Sequence, residues 1–338
     1  MTNDTTTLNG SLKELGETMA ANLTAQGVSS TWDEGLMTLA SKILDISPSP
    51  TPTVDSLTLA KTAGKQILSY ADKTSGSGNT EYCTVTATAL DSNNQGVSGQ
   101  SVVFKVGTTT VATETTDSNG EASYTYTSQG SGDVVLSAEC SSLIQTYSIQ
   151  DCWVYDDASS DKKSKYGYSN VSSLTHNSDH YEAVTTTDNG STKYYAPIYV
   201  TDMADLPSDY EISLDWKIPS MSTGYQGGFN ISDNHITTYS GTNELLIGGS
   251  NARTGGYYRV NGNVTHYNSN TALPTNTWLS LYLKVQGTSA TFSVKNGSTT
   301  LYSDTQSLSA ISNWKKFNII FGGVAQTGHF KNLKIKPL

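Results

Sequence analysis

Apolar positions in the first 46 residues recur at helical spacing, and beyond residue 53 they alternate with a period of two. Leu8, Leu12, Leu15, Met19 and Leu23 form one apolar stripe along a helix. Gly27 follows as a stop, because a residue without Cβ accepts the left-handed conformation of a helix end. Thr31 or Asp33 reads as the N-cap of a second helix carrying Leu36, Leu39, Ile43 and Ile46 on one face. Two such stripes have almost nothing of their own to bury them. Self-association or docking onto another protein is therefore expected for residues 1–46. Residues 47–53, beginning Ser47-Pro48-Ser49-Pro50-Thr51-Pro52, are a linker.

The alternation then takes over. Cys83, Val85, Ala87 and Ala89 interleave with Thr84, Thr86 and Thr88, a half-buried strand. Asp91-Ser-Asn-Asn-Gln-Gly96 turns the chain into Ser101–Val106, and Asp117-Ser-Asn-Gly120 turns it again. Val134, Leu136, Ala138 and Cys140 share one face, and Ile144–Ile149 closes a β-sandwich over residues 54–151. A second β-domain fills 152–338. Tyr210, Ile212, Leu214 and Trp216 form its clearest inward face, against Glu211, Ser213, Asp215 and Lys217. Asn261-Gly262 marks a hairpin between Tyr258–Val260 and Asn263–Thr265. The fold class is mainly β behind a short helical module.

Composition narrows the function. Charged residues are 15% of the chain while Gly (29) and Tyr (20) are abundant, as in β-domains whose outward faces carry neutral hydroxyl and amide groups. A net charge of −10 supplies no basic stripe for phosphate, so no nucleic-acid partner is expected. No run of about 18 apolar residues exists, so no helix is expected to cross a membrane. The first residues have neither the basic nor the apolar region of a secretory signal, which fits export inside an assembly such as a virion.

Two resemblances sharpen this. The stretch Thr84–Phe104 and the return Thr115-Thr-Asp-Ser-Asn-Gly-Glu-Ala-Ser-Tyr-Thr-Tyr126 resemble the bacterial Ig-like repeats of invasins and adhesins, which implies a spacer. On that topology a Cys83–Cys152 bridge is expected ahead of Cys83–Cys140, with three free thiols as the alternative. Thr277-Trp-Leu-Ser-Leu-Tyr-Leu-Lys-Val-Gln-Gly287 and the terminal Gly328-His-Phe-Lys-Asn-Leu-Lys-Ile-Lys-Pro337 resemble the concanavalin A-like lectin/glucanase jelly roll. Residues 1–46 resemble the short helical modules that begin structural proteins of tailed viruses from gut microbes. Together they imply a virion fibre, on tail or capsid, with a lectin-like tip.

No catalytic pattern accompanies these resemblances. Laminarinase-type relatives carry E-x-D-x-x-E or E-x-D-x-E on one strand, whereas this chain has Glu211-Ile-Ser-Leu-Asp215. At strand rise Glu211 and Asp215 stand about 13 Å apart. Glycosidase pairs need about 5–5.5 Å or 6.5–9.5 Å, so no enzyme is expected. No G-x-S-x-G elbow occurs, and His176 and His180 read as solvated residues of a polar loop. Asp156, Asp157 and Asp161 are candidate Ca²⁺ ligands, with turn solvation as the plainer reading and no other cofactor expected.

Sugar recognition has better material, because aromatic rings cover sugar faces while amides and guanidinium groups read hydroxyls. The candidates are Tyr225, Arg253, Tyr257, Arg259, His266, Tyr267 and Asn268. With Tyr258 and Val260 inward, Tyr257 and Arg259 face out and are the first choice. The expected partners are virion proteins through residues 1–46, host-surface glycan, and copies of the chain in a homotrimer or other homo-oligomer. A decoration protein without a receptor is the alternative, and a polysaccharide depolymerase a more distant one.

Overall fold

A computed structural model describes residues 5–25, 29, 31, 38–39, 42, 52–70, 81–186, 195–201, 203, 205–220, 226–234, 243–250, 252–261, 263–322 and 326–338. The chain is mainly β: an N-terminal helical segment, an Ig-like sandwich and a larger jelly-roll sandwich.

Helix α1 spans Thr5–Ala25. Its C-terminal half buries Ala20 and Leu23 against Leu39, with Met19 packed beside them. Leu12 and Leu15 lie on the same stripe and are 38% and 53% exposed. Thr38, Leu39 and Lys42 are helical; Gly27, Leu36, Ile43 and Ile46 lie outside the described residues.

Among the described residues the Ig-like domain has eight strands: β1 (Ser56–Gly64), β2 (Ile67–Ser69), β3 (Tyr82–Leu90), β4 (Ser101–Val106), β5 (Thr109–Thr115), β6 (Glu121–Thr127), β7 (Gly132–Cys140) and β8 (Leu143–Cys152). They form a three-stranded sheet β1-β3-β6 and a five-stranded sheet β2-β8-β7-β4-β5. The chain changes sheets between β1 and β2, which pairs in parallel with β8. The predicted inward set Cys83, Val85, Ala87, Ala89 meets Val134, Leu136, Ala138 and Cys140 in one core. Thr86 is buried as well, because its hydroxyl joins those of Thr62 and Ser123 at 2.9 and 2.7 Å.

The expected Cys83–Cys152 bridge is absent, and Cys83, Cys140 and Cys152 are all buried free thiols. Cys83 belongs to the sandwich core, whereas Cys152 lies outside it, beside Lys334 and Lys336 of the next domain. Burial pushes the Cys152 thiol up to about 12.

The jelly roll begins at β9 (Val154–Asp156), β10 (Tyr166–Tyr168), β11 (Val171–Asn177), β12 (His180–Thr185) and β13 (Tyr195–Val200). It continues with β14 (Tyr210–Lys217), β15 (Gln226–Ser232), β16 (Glu244–Ser250), β17 (Thr254–Val260) and β18 (Asn263–Ser269). The closing strands are β19 (Leu279–Gln286), β20 (Ser289–Asn296), β21 (Thr299–Ser307), β22 (Lys316–Gly322) and β23 (Thr327–Pro337). A seven-stranded sheet, β10-β13-β22-β15-β16-β17-β18, packs on a sheet ordered β11-β12-β23-β14-β19-β20-β21, to which β9 adds along β23. Tyr210, Ile212, Leu214 and Trp216 point into the core between them, as the alternation predicts. His176 and His180 sit in β11 and β12, not in a loop: the Ser- and Asn-rich stretch is a sheet-edge hairpin with one polar face.

Only Trp153 separates β8 from β9. Its backbone N–H donates to the Ile335 carbonyl at 2.9 Å, and the Tyr155 N–H donates to the Ser69 hydroxyl at 3.0 Å. Lys336 reaches Asp133 at 2.7 Å and Lys334 reaches Gln150 at 2.8 Å, so both kinds of contact tie the sandwiches together.

Candidate functional site

The seven-stranded sheet has a second face, directed away from the core. On β17, Tyr258 and Val260 pack toward the core, which leaves Tyr257 and Arg259 on the outward face. Strand register then fixes their neighbours. Glu244 stands opposite Arg259, Leu246 opposite both Tyr257 and Asn230, and His266 opposite Tyr257. Asn230 also faces Asn318 across β22.

These side chains form one buried network. The Tyr257 hydroxyl donates to Oε1 of Glu244 at 2.9 Å, and Asn230 Nδ2 donates to Oε2 at 2.5 Å. Arg259 Nη1 lies 3.4 Å from Oε1, and the guanidinium sits over the Tyr257 ring. Asn318 extends the chain by donating to Asn230 Oδ1 and Ser232 Oγ. Burial holds the Glu244 carboxyl above the ordinary carboxylate range, while Arg259, Tyr257 and Asn230 all favour its charged form. Tyr257 is 3% exposed, Arg259 4% and Glu244 1%. Arg259 and Tyr257 are therefore buried partners of Glu244 and not free contacts, which corrects the expected role of both; only an edge of Tyr257 reaches the adjoining cleft.

Next to this network the sheet carries no side chains. Gly228, Gly248 and Gly255 occupy one outward row across β15, β16 and β17. At Gly248 φ is +148°, and a Cβ would stand 2.0 Å from the Gly227 carbonyl oxygen. Gly228 is matched, with φ +135° and the Ile247 carbonyl oxygen at 2.0 Å. Only glycine fits at this pair, so the row is bare backbone. Beside it is an open cleft lined by Leu246, Tyr257 and His266 on one side, Ser250 and Arg253 on the other, Gly249, Gly255 and Gly256 between them, and Asn268 at the end. His266 meets the Tyr257 ring edge-on at 5.9 Å. Burial and the nearby Arg253 charge hold its imidazole below the ordinary range.

Four of the seven sugar-contact candidates thus converge here: Arg253, Tyr257, His266 and Asn268. Tyr267 does not, because period two sends it to the core side, where it stacks on Tyr258 at 5.4 Å. Tyr225 lies outside the described residues. A larger hollow lined by Tyr258, Val260, Leu308, Ala310 and Trp314 opens elsewhere and offers no charged group.

Glu244, Asn230, Asn318 and the glycine row were missed from sequence. The available signal was three Gly-Gly pairs, at 227–228, 248–249 and 255–256, each within a segment of strand character.

The Ca²⁺ candidates do not assemble. Asp156 is buried and accepts from the Tyr166 and Tyr181 hydroxyls at 2.8 and 2.9 Å. Asp157 accepts from the Ser159 N–H and hydroxyl, and Asp161 from the Lys163 N–H. Among the described residues no three His, Cys, Asp or Glu side chains are grouped to hold a metal. Glu211 and Asp215 are likewise committed, to Tyr282 and Lys336 and to Ser280 and Asn332.

Comparison with known proteins gives the following. Residues 68–150 match the bacterial Ig-like domain (group 1) family. No curated protein sequence matches the chain. Among solved structures it is similar to a carbohydrate-binding module from Bacillus subtilis, at 12% identity over 51% of this chain and 95% of that one, TM-score 0.34. It is also similar to a B. subtilis protein of unknown function with a galectin-like fold, at 7% identity over 55% and 96%, TM-score 0.37. A third is domain 4 of an extracellular arabinanase from Geobacillus stearothermophilus, in complex with arabinotriose, at 12% identity over 51% and 82%, TM-score 0.33.

Proposed function

We propose that this protein binds glycan in the glycine-floored groove, as the tip of a non-enzymatic adhesion fibre on a virion surface. The Ig-like domain is its spacer, and residues 1–46 attach it to other virion proteins and to its own copies. The observation that carries the reading is the convergence of Arg253, Tyr257, His266 and Asn268 on a stretch of bare backbone. A groove without side chains lets a flat ring approach closely, and the polar groups around it supply directional contacts. Binding is preferred to hydrolysis because Glu244 is the sole carboxylate among the outward strand residues of β15–β18 and β22, and both its oxygens are engaged. Glycoside hydrolysis ordinarily uses two carboxyl groups.

Exposed Leu12 and Leu15 give α1 an apolar surface for association, and several tips on one base raise avidity by about 10²–10⁴ over a weak single site. A glycan array probed with the full chain tests the reading. Specific glycans are expected to bind, with loss in the double variant His266→Ala/Asn268→Ala. An array on which nothing binds contradicts it and leaves a decoration protein; release of reducing sugar from a bound glycan makes the protein a depolymerase.

A further inference from the structure

The chain has 18 lysines and only two arginines, Arg253 and Arg259. Both fall within seven residues, Arg259 in β17 and Arg253 just before it. Lysine serves the surface elsewhere: Lys105, Lys316 and Lys331 pair with Glu139, Asp205 and Asp179. A guanidinium differs from an ammonium in presenting a rigid planar fork that matches a carboxylate with two parallel hydrogen bonds.

One of the two forks is already used. Arg259 is buried against Glu244, so its charge is matched within the sheet. Arg253 is exposed on the opposite wall of the groove, and among the described residues no carboxylate or carbonyl engages its guanidinium. The groove lining contains no acidic residue. A chain of net charge −10 therefore presents an unmatched cation at its candidate sugar site.

Resting on the glycan reading of this groove, we infer that its ligand is an acidic sugar, held through its carboxylate by Arg253. The ring lies over Gly249 and Gly255, with His266 on one side and the Asn268 amide and Ser250 hydroxyl meeting its hydroxyl groups. The charge of the sugar selects this site against the repulsion of the protein as a whole, so affinity falls as salt screens the contact.

The test is calorimetric titration of the full chain with oligogalacturonate and its neutral methyl ester, and with sialyllactose and lactose. The two pairs separate a uronate from a sialic acid as the source of the carboxylate. At least tenfold tighter binding of one acid than of its neutral counterpart is expected, abolished in Arg253→Gln and weakened in Arg253→Lys. Equal binding of acidic and neutral members overturns the acidic class while the groove remains a glycan site. So does an array on which only neutral glycans bind. Failure of every glycan, on the array and in solution, overturns the groove itself.

Discussion

The Tyr257 hydroxyl donates to Glu244 Oε1 at 2.9 Å, joining β17 to β16 beneath the groove. Glu244 thereby holds the aromatic wall and, through the same oxygen, the Arg259 guanidinium. Removing the carboxylate takes its charge partner from a buried cation, which costs about 3–5 kcal/mol. Glu244→Ala is expected to lower stability by that amount in chemical denaturation. The double variant Glu244→Leu/Arg259→Met is expected to recover much of the loss, and a cycle without coupling contradicts the network.

Gly248 is the second sensitive point. Its φ of +148° and the 2.0 Å approach to the Gly227 carbonyl leave no space for a Cβ. Gly248→Ala should cost roughly 1–3 kcal/mol from backbone strain alone. It should also shift the amide resonances of β15, which thermal denaturation and a two-dimensional NMR spectrum would reveal. Gly297→Ala, where φ is +56° but no atom crowds a Cβ, separates the cost of the positive φ from that of the close carbonyl.

Asp151 governs acid behaviour at the end of the Ig-like domain. Burial raises its carboxyl, but donors from Tyr126, Ser128, Gln129 and Ser131 outweigh burial and hold it below the ordinary range. Because the folded value is depressed, its stabilisation is present above about pH 4, the ordinary carboxylate value. It is lost as pH falls through the lower folded value. Asp151→Asn should destabilise at pH 7 by about 1.5–3 kcal/mol and flatten the acid limb of a stability–pH curve.

The thiols give a simple chemical check. Cys83, Cys140 and Cys152 are buried, unbonded and raised by burial. A thiol reagent should label none in the native protein and three after denaturation without reductant. A count of one in the denatured protein would restore a bridge.

Assembly is expected to reside in α1. Leu12→Ser/Leu15→Ser changes two exposed residues, so the fold should survive while the sedimentation coefficient falls toward that of a monomer. An unchanged coefficient would place self-association elsewhere.

Much of this was legible in local pattern. Alternation alone set Trp216 inward and divided Tyr257 from Tyr258, because a strand reverses face at every residue. What escaped depends on register between distant strands. Nothing near Arg259 announces Glu244, fifteen residues earlier, and three Gly-Gly pairs become a groove only when β15, β16 and β17 align. Tyr267 was assigned by its neighbours, although its position parity puts it with Tyr258. The expected cysteine bridge follows from the Ig-like topology alone, which does not show that Cys152 turns toward the second domain.

The most direct test of the glycan groove is amide chemical-shift mapping of the full chain during titration with a glycan selected on the array. Perturbations centred on Gly248, Gly249, Gly255 and Asn268, absent in Arg253→Gln/His266→Ala, are the expected result. Saturable shifts confined to another surface would contradict the account.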